Sequence, residues 1–337
     1  MRMSDEPKGF RIGIAGASGT LGREILSVLS DRRFPIADLK PFASGGSIGE
    51  EIEFAGEVFT IEAAPKTLRG LDMLIVCTPP GAALDLVREA LRSEVPCIDC
   101  SGAMANSPEV PLYVADLCAP SLVKGAPVVA QPAGIALAWS HLLAAVEGAA
   151  GLERVSGSIL YSASRAGRAG IESLSAETLG LLNQQEMPPL SVFPGQVAFD
   201  CFALPAGATP DGSAQVEADL ARDIRRLVGA NLPISATAIQ VPTFAGDGSA
   251  IAVTTKQPLS VEHALDLFQK APGLEAWSSD EVGPSTRDTA GRDVAVVGRV
   301  RADASVENGL LLWLAADTLR LAAVNAAKIA ETRLDVG

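Results

Sequence analysis

The chain has 337 residues, 48% of them hydrophobic and 20% charged, which indicates a globular protein of about two domains and excludes a largely disordered one. Its 27 basic and 40 acidic residues give a formal charge of −13. This charge argues against nucleic acid as a partner, because phosphate backbones need a basic footprint. A small anionic substrate stays compatible, since a pocket can be locally basic on an acidic protein.

The sequence offers no targeting or membrane-spanning signal. The start of the chain, Met1 to Gly9, is polar and lacks the apolar stretch of a signal peptide. No apolar run reaches the roughly eighteen residues of a transmembrane helix. Five cysteines in so long a chain are typical of a reducing compartment. We therefore expect a cytoplasmic protein with no membrane partner.

One pair of cysteines has a spacing that suggests a function. Cys97 and Cys100 form a C-x-x-C at the end of an apolar strand. No second cysteine pair has the spacing of a zinc site, and the two histidines are His141 and His263. We expect ordinary buried thiols and no metal site.

The first half of the chain alternates short apolar strands with amphipathic helices. Strands are predicted over 10–15, 71–77, 95–100 and 127–130, with a further strand that ends with residues 40–44. The two intervening helices carry apolar stripes, which comprise Leu21, Ile25, Leu26 and Leu29 in the first and Leu84, Val87 and Leu91 in the second. This alternation predicts an α/β domain built of parallel βαβ units.

The second half groups longer strands with fewer alternating helices. The predicted strands cover 155–162, 234–241, 250–255, 292–301 and 309–315. The predicted helices cover 135–149, 166–183, 214–227, 261–271 and 317–332. This pattern predicts an α+β domain on a mostly antiparallel sheet, with the boundary near Gln131-Pro132.

A glycine-rich turn lies between the first strand and the first helix. It reads Gly16-Ala17-Ser18-Gly19-Thr20-Leu21-Gly22, a G-x-x-G-x-x-G. Glycines allow a tight turn and a close approach to a pyrophosphate, and the helix N-terminus supplies N–H donors. The pattern predicts a dinucleotide site that uses Gly16, Ser18, Gly19, Thr20 and Leu21, although a purely structural turn has the same pattern.

The residues after the predicted second strand do not choose between NAD and NADP. An acidic residue there would favour NAD and a basic one NADP. Neither an acidic residue nor an arginine directly follows the strand that ends with residues 40–44, and Ser44 and Ser47 are the remaining candidates for contact with a 2′-phosphate.

Several segments share their order and spacing with one family. The glycine turn resembles the family pattern G-A-T-G-x-V-G, and residues 129–132 resemble the stretch that leads into the family motif A-N-P-N-C. The other matching segments, each with the family pattern it resembles in parentheses, are 43–49 (A-S-x-R-S-x-G), 95–105 (V-I-D-N-S-S-x-F-R), 164–170 (S-G-A-G-x-x-G), 193–199 (F-P-x-Q-I-A-F), 297–301 (V-G-R-I-R) and 317–320 (D-N-L-R). With these segments the chain resembles the aspartate-semialdehyde dehydrogenases over nearly its whole length.

The resemblance implies a fold, a cofactor and a reaction. It implies a Rossmann-type NADP-binding domain over 1–131, an α+β substrate and dimerisation domain over 132–315, and a C-terminal helix within 316–337 that packs back on the first domain. It implies a homodimer that acts in amino-acid biosynthesis by reductive dephosphorylation of aspartyl phosphate. In that reaction a cysteine thiolate forms a thioester, a histidine acts as acid and base, and a hydride reduces the acyl group.

The residues that the family uses for this chemistry are replaced here. Gly134 stands at the position of the cysteine, or Ala133 if the turn is one residue shorter. Gln240 stands at the position of the arginine that holds the substrate carboxylate, and a glutamine cannot match its bidentate pairing. Asp247 stands at the position of the histidine and would need a pKa raised by burial to act as a base.

Other family positions are also altered. Ala105 replaces a phosphate-binding arginine, and Asp219 replaces the lysine of a family E-x-K. Thr318 replaces the asparagine of D-N-L-R, and the resemblance places it among the cofactor contacts. Arg165 replaces a glycine near the nicotinamide, where it would either block the cofactor or bind an anion.

These replacements leave three hypotheses. The first is a pseudoenzyme with a binding or scaffold role, most similar to the Usg-like branch of the family, whose protein partner, apart from itself, the sequence does not identify. The second is an NAD(P)-dependent oxidoreductase that acts on a different substrate without a cysteine nucleophile. The third is the family reaction itself.

Overall fold

The computed structural model describes residues 9–185, 192–205, 207, 209–278 and 282–336. Residues 1–8, on which the expectation of no signal peptide partly rests, lie outside the described residues. The chain divides into two compact units. The first comprises the chain up to Pro132 together with the residues from Ala322 onward, and the second comprises Ala133–Leu321.

The first unit is built on a six-stranded parallel sheet with the order β5-β2-β1-β6-β7-β8. Its strands are β1 (Phe10–Ala15), β2 (Ile36–Ala43), β5 (Glu62–Ala63), β6 (Met73–Val76), β7 (Cys97–Asp99) and β8 (Val128–Ala130). Its helices are α1 (Thr20–Asp31), α2 (Pro80–Arg92) and the short α3 (Ser121–Lys124). A hairpin of β3 (Glu51–Phe54) and β4 (Glu57–Thr60) stands apart from this sheet, and the sequence analysis missed it.

The apolar stripe predicted for the second helix was partly wrong. In α2 the buried residues are Ala83, Val87 and Ala90, whereas Leu84 and Leu91 are 36% and 44% exposed. The helix buries its small side chains and leaves two leucines in solvent. The spacing therefore located the helix and misassigned its buried face.

The second unit is built on a seven-stranded mixed, mostly antiparallel sheet with the order β10-β11-β9-β12-β15-β14-β13. Its strands are β9 (Leu152–Tyr161), β10 (Phe202–Ala203), β11 (Ile234–Gln240), β12 (Asp247–Thr255), β13 (Leu274–Ala276), β14 (Ala295–Ala302) and β15 (Gly309–Ala316). The pairs β11–β9 and β13–β14 are parallel and the other pairs are antiparallel. Its helices are α4 (Gly134–Ala150), α5 (Gly167–Leu182), α6 (Gln215–Leu227) and α7 (Val261–Lys270).

The buried helix α4 lies against one face of this sheet. Trp139 of α4 is fully buried, and its indole N–H donates a 2.9 Å hydrogen bond to the Ser249 hydroxyl of β12. Ser249 is paired with Ile159 of β9, and both are fully buried. Because side chains alternate along a strand, the neighbouring Ser158 and Ala250 lie on the opposite face.

The last helix, α8 (Thr318–Leu334), contributes to the core of the first unit from Ala322 onward. The Asn325 carboxamide is buried there, where its oxygen accepts from the N–H of Ala115 and its nitrogen donates to the Tyr113 carbonyl and the Gln131 side chain. These bonds satisfy a buried amide that would otherwise be costly. In the described part of the chain, no helix combines the length and apolar character that crossing a bilayer requires.

Candidate functional site

The glycine turn of the first unit forms one wall of a cleft of about 370 Å³ at the carboxyl ends of β1, β2 and β6. Gly16 has a φ of +87°, and a Cβ there would lie 2.8 Å from the Cys77 carbonyl oxygen. A Cβ at Gly22 would lie 2.9 Å from the Cα of Ala17, so the turn and the helix pack more closely than a residue with a side chain at position 22 would allow. In parallel sheets the ligand site lies in such a crevice, where the strand order reverses.

The predicted cofactor residues divide into those that line this cleft and those that do not. Gly16, Ser18, Gly19 and Ser44 line it. Thr20 and Leu21 instead begin α1, whose first turn has neither a capping side chain nor an acidic residue. The first turn of α1 itself therefore places no side-chain anion at the positive end of the helix.

Thr78 is a cleft residue that the sequence analysis missed. It lines the cleft directly after β6, and its buried Oγ1 has no hydrogen-bond partner among the described residues. An unpaired buried hydroxyl is costly unless a ligand or water satisfies it. The signal that would have found it is its place just beyond the carboxyl end of a buried strand.

Thr318 lies in the second unit, at the start of α8, beside Gly134 at the start of α4. A Cβ at Gly134 would lie 2.7 Å from the carbonyl carbon of Thr318 and 2.8 Å from its Cβ. These distances are shorter than Cβ atoms tolerate, so the main chain of Thr318 fills the space that a cysteine side chain would need. Ala133 precedes the helix as its N-cap.

Asp247 is buried beside the same threonine. Its Oδ1 accepts hydrogen bonds of 2.8 Å and 3.0 Å from the main-chain N–H and the hydroxyl of Ser162, and its Oδ2 accepts one of 2.6 Å from the Thr318 hydroxyl. Burial raises the pKa of Asp247, and these hydrogen bonds and the charge of Arg165 offset that rise in part. Both oxygens of the carboxylate are thus occupied by neighbours within its own unit.

Gln240 ends β11 and is fully buried. Its Nε2 donates to the main-chain carbonyls of Tyr161 and Val241, at 2.9 Å and 3.3 Å. Its Oε1 has no hydrogen-bond partner among the described residues. The side chain is neutral and pinned to the backbone, so it supplies none of the charge that a carboxylate clamp needs.

The remaining replaced positions divide between the two units. In the second, Asp219, which the sequence analysis places at the position of a family lysine, is ion-paired with Arg222. The exposed Arg165 places its guanidinium 5.2 Å from the centre of the Tyr161 ring, a cation–π distance. In the first unit, Ala105 is buried.

Two family profiles together match most of the chain. The profile described as "Semialdehyde dehydrogenase, NAD binding domain" matches residues 11–124, and "Semialdehyde dehydrogenase, dimerisation domain" matches residues 143–321.

Individual known proteins also match this chain over nearly their full length. The chain is 31% identical to an aspartate-semialdehyde dehydrogenase of Aquifex aeolicus strain VF5, with 98% of this chain and 99% of the relative covered. It is 30% identical to one of Synechocystis, again over 98% and 99%. The crystal structure of aspartate semialdehyde dehydrogenase II from Vibrio cholerae superimposes with a TM-score of 0.92 at 27% identity, covering 97% of this chain and 99% of that one.

Proposed function

Since the chain belongs to the aspartate-semialdehyde dehydrogenase family, we propose that it is a non-catalytic paralogue that keeps the family fold and a nucleotide cleft. The observation that carries this proposal is at Gly134, where the main chain of Thr318 occupies the space of a nucleophile's side chain. The chain's role is then to bind a ligand or a partner protein.

The chemistry of the family reaction supports the proposal. Acyl transfer through a thioester needs a thiolate and a proton shuttle within reach of it. Position 134 offers no side chain, and the Asp247 carboxylate is held by Ser162 and Thr318. Loss of nucleophile and base together removes most of the transition-state stabilisation in comparable enzymes. The neutral Gln240 adds the loss of the carboxylate clamp.

We assign nucleotide binding to the first unit. The glycine turn permits the close approach of a pyrophosphate, and the unpaired Thr78 hydroxyl provides a polar contact for it or for the adjoining ribose. A bound NADP would supply a hydride acceptor. Residues 43–49 contain no charged side chain, so a 2′-phosphate would depend on neutral donors such as the Ser44 hydroxyl, which lines the cleft.

We assign self-association to the second unit, on the sheet face opposite α4. That face is a shallow groove of about 430 Å³ lined largely by small side chains, among them Ser158, Ala250 and Ala252. Small residues allow two such sheets to pack closely face to face. The match to a dimerisation-domain profile covers all the strands concerned. We therefore propose a homodimer.

The cleft also supports a second candidate function. Hydride transfer between NAD(P) and a free aldehyde or ketone needs no thiol, so the loss at position 134 does not abolish it. The unpaired Thr78 hydroxyl favours this alternative over a purely structural protein, because it points to a ligand in the cleft. Asp247 or Gln240 would then have new roles towards a different substrate.

The deciding experiment uses the purified protein with aspartate semialdehyde, phosphate and NADP, with the Aquifex aeolicus relative as positive control. We expect NADPH to bind, as followed by its fluorescence, and no phosphate-dependent formation of NADPH. Phosphate-dependent turnover would overturn the proposal. NADPH-dependent reduction of a panel of aldehydes and ketones without phosphate would establish the second candidate instead.

A further inference from the structure

Two thiols meet at the carboxyl ends of β6 and β7. The register pairs Val76 with Asp99, which places Cys77 and Cys100 next to each other just beyond the ends of the two strands. The main-chain N–H of Cys100 donates a 2.9 Å hydrogen bond to the Val76 carbonyl, and the Cys77 thiol lies close enough to raise the pKa of Cys100. The partner of Cys100 is therefore Cys77 and not Cys97, the other cysteine of the C-x-x-C.

We propose that Cys77 and Cys100 form a redox-active pair that a peroxide converts into a disulfide. Neighbouring strands lie about 4.8 Å apart, inside the range of about 4.4–6.8 Å that separates the Cα atoms of disulfide-bonded cysteines. The pair therefore needs little backbone movement to close. Cys97 begins β7, where it pairs with Leu74 and is buried.

The cleft of the first unit gives an oxidant its route to this pair. Cys77 lines the cleft and is half-buried. The neighbouring Cys77 thiol and burial raise the pKa of Cys100. Cys100 thus stays protonated, so Cys77 rather than Cys100 is the thiol that reacts first with the oxidant.

The reaction balances with hydrogen peroxide as the oxidant. The Cys77 thiolate attacks one peroxide oxygen, the O–O bond breaks, and the hydroxide that leaves takes up a proton to form water. Cys100 then loses its thiol proton and attacks the sulfenic sulfur of Cys77, the S–S bond forms, the S–O bond breaks, and the leaving hydroxide takes up a proton to form a second water. Each sulfur gives up one electron and the peroxide takes up two.

The test uses the full chain with the substitution Cys201→Ser, because Cys201 is exposed and would react by itself. After native treatment with hydrogen peroxide, free thiols are blocked and the protein is cleaved before aspartate. This cleavage separates Cys77 in peptide 72–84 from Cys97 in 85–98, and Cys100 in 99–115 from Cys118. We expect a cross-linked product of 72–84 with 99–115, and the loss of two of the four remaining thiols.

Matched variants complete the design. Cys97→Ala and Cys118→Ser should keep the cross-link, whereas Cys100→Ser should leave Cys77 in an uncross-linked, over-oxidised form. A cross-link between peptides 85–98 and 99–115, or a thiol count that peroxide leaves unchanged, would overturn the proposal. The peptide map of the Cys201→Ser protein decides the question even if Cys100→Ser fails to fold.

Discussion

The Asp247 carboxylate accepts a 2.6 Å hydrogen bond from the Thr318 hydroxyl, and the main chain of the same threonine fills the space beside Gly134. Asp247 and Gly134, which the sequence analysis predicts to stand at the family's histidine and cysteine positions, are thus linked through Thr318. The three residues form one packed, hydrogen-bonded arrangement.

This arrangement predicts that Gly134→Cys alone will not create a thiol-dependent enzyme. The new Cβ would collide with Thr318, so we expect a loss of about 1–3 kcal/mol in the free energy of unfolding, as for other overpacked sites. Gly134→Ala introduces the same Cβ without the thiol. Gly148→Ala on the same helix is its control, because a Cβ at Gly148 has no described atom within 4 Å. Urea unfolding should show a gain of about 1 kcal/mol at 148 and a loss at 134. Equal effects at the two positions would contradict the collision.

The bond to Thr318 predicts a pH-dependent effect of Thr318→Val. The hydroxyl lowers the pKa of Asp247 against the rise caused by burial, so its removal raises that pKa further. A carboxyl with a raised pKa in the folded protein destabilises it once the pH exceeds the pKa in the unfolded chain. The variant should therefore lose about 1–3 kcal/mol at pH 8 and less at pH 4. Thr318→Ser keeps the hydroxyl and should behave as wild type; a cost that does not change with pH would rule out this role.

A second buried carboxyl gives an independent pH prediction. Burial raises the pKa of Asp223 from 3.8 to about 6, despite its ion pair with Arg222. The folded state then binds more protons than the unfolded state between about pH 4 and 6, so this group's contribution to stability falls as pH rises through that window. Asp223→Asn removes the titration. The free energy of unfolding of the variant relative to wild type should rise from pH 4 to pH 6 and stay constant above, as measured by chemical denaturation. A fall over this interval would contradict a raised pKa for Asp223.

The unpaired hydroxyl of Thr78 makes the nucleotide cleft testable by an isosteric change. Thr78→Val removes a hydroxyl that has no hydrogen-bond partner among the described residues, so the unliganded protein should be as stable as wild type or slightly more so. If NADPH uses that hydroxyl, its affinity should fall roughly 5–10-fold, the cost of one hydrogen bond. Thr78→Ser should retain binding. A fluorescence titration with equal dissociation constants for all three proteins would remove Thr78 from the site.

The proposed dimer face predicts that one large charge will separate the subunits. Ala250→Arg places a guanidinium in the groove of small side chains opposite α4. Because burying an unpaired charge is costly, we expect sedimentation velocity to show monomers at concentrations where the wild type is dimeric. Glu262→Arg changes the charge of an exposed residue on α7 and should leave the dimer intact. If the Ala250→Arg variant stays dimeric, the interface lies elsewhere.

Local pattern was enough to predict most of the elements. The predicted helices over 135–149 and 214–227 agree with α4 (Gly134–Ala150) and α6 (Gln215–Leu227) within one residue at each end. The hairpin β3–β4 was missed. Strand Glu57–Thr60 has one half-buried residue and three exposed ones, so it lacks the buried face that produces a periodic signal.

The order of motifs along the chain singled out the site residues but not their arrangement. It predicts that Gly134, Gln240 and Asp247 are replaced positions, and this stays a prediction. That Asp247 bonds Thr318, and that Thr318 closes the space at Gly134, joins residues that are 71 positions or more apart in sequence. Neither spacing nor composition carries that information.

The sequence by itself determined the family and the order of the two domains, because these depend on residue identities at matched motif positions. For the same reason it predicts, at Gly134, that the family's nucleophile is absent. The tertiary structure alone decided which replacements touch each other, which hydroxyl in the cleft lacks a partner, and that Cys100 faces Cys77 rather than Cys97. The physical reason is that hydrogen bonds and steric exclusion act over a few ångströms in space. Strand register and helix packing place residues that are far apart in the chain within a few ångströms of each other.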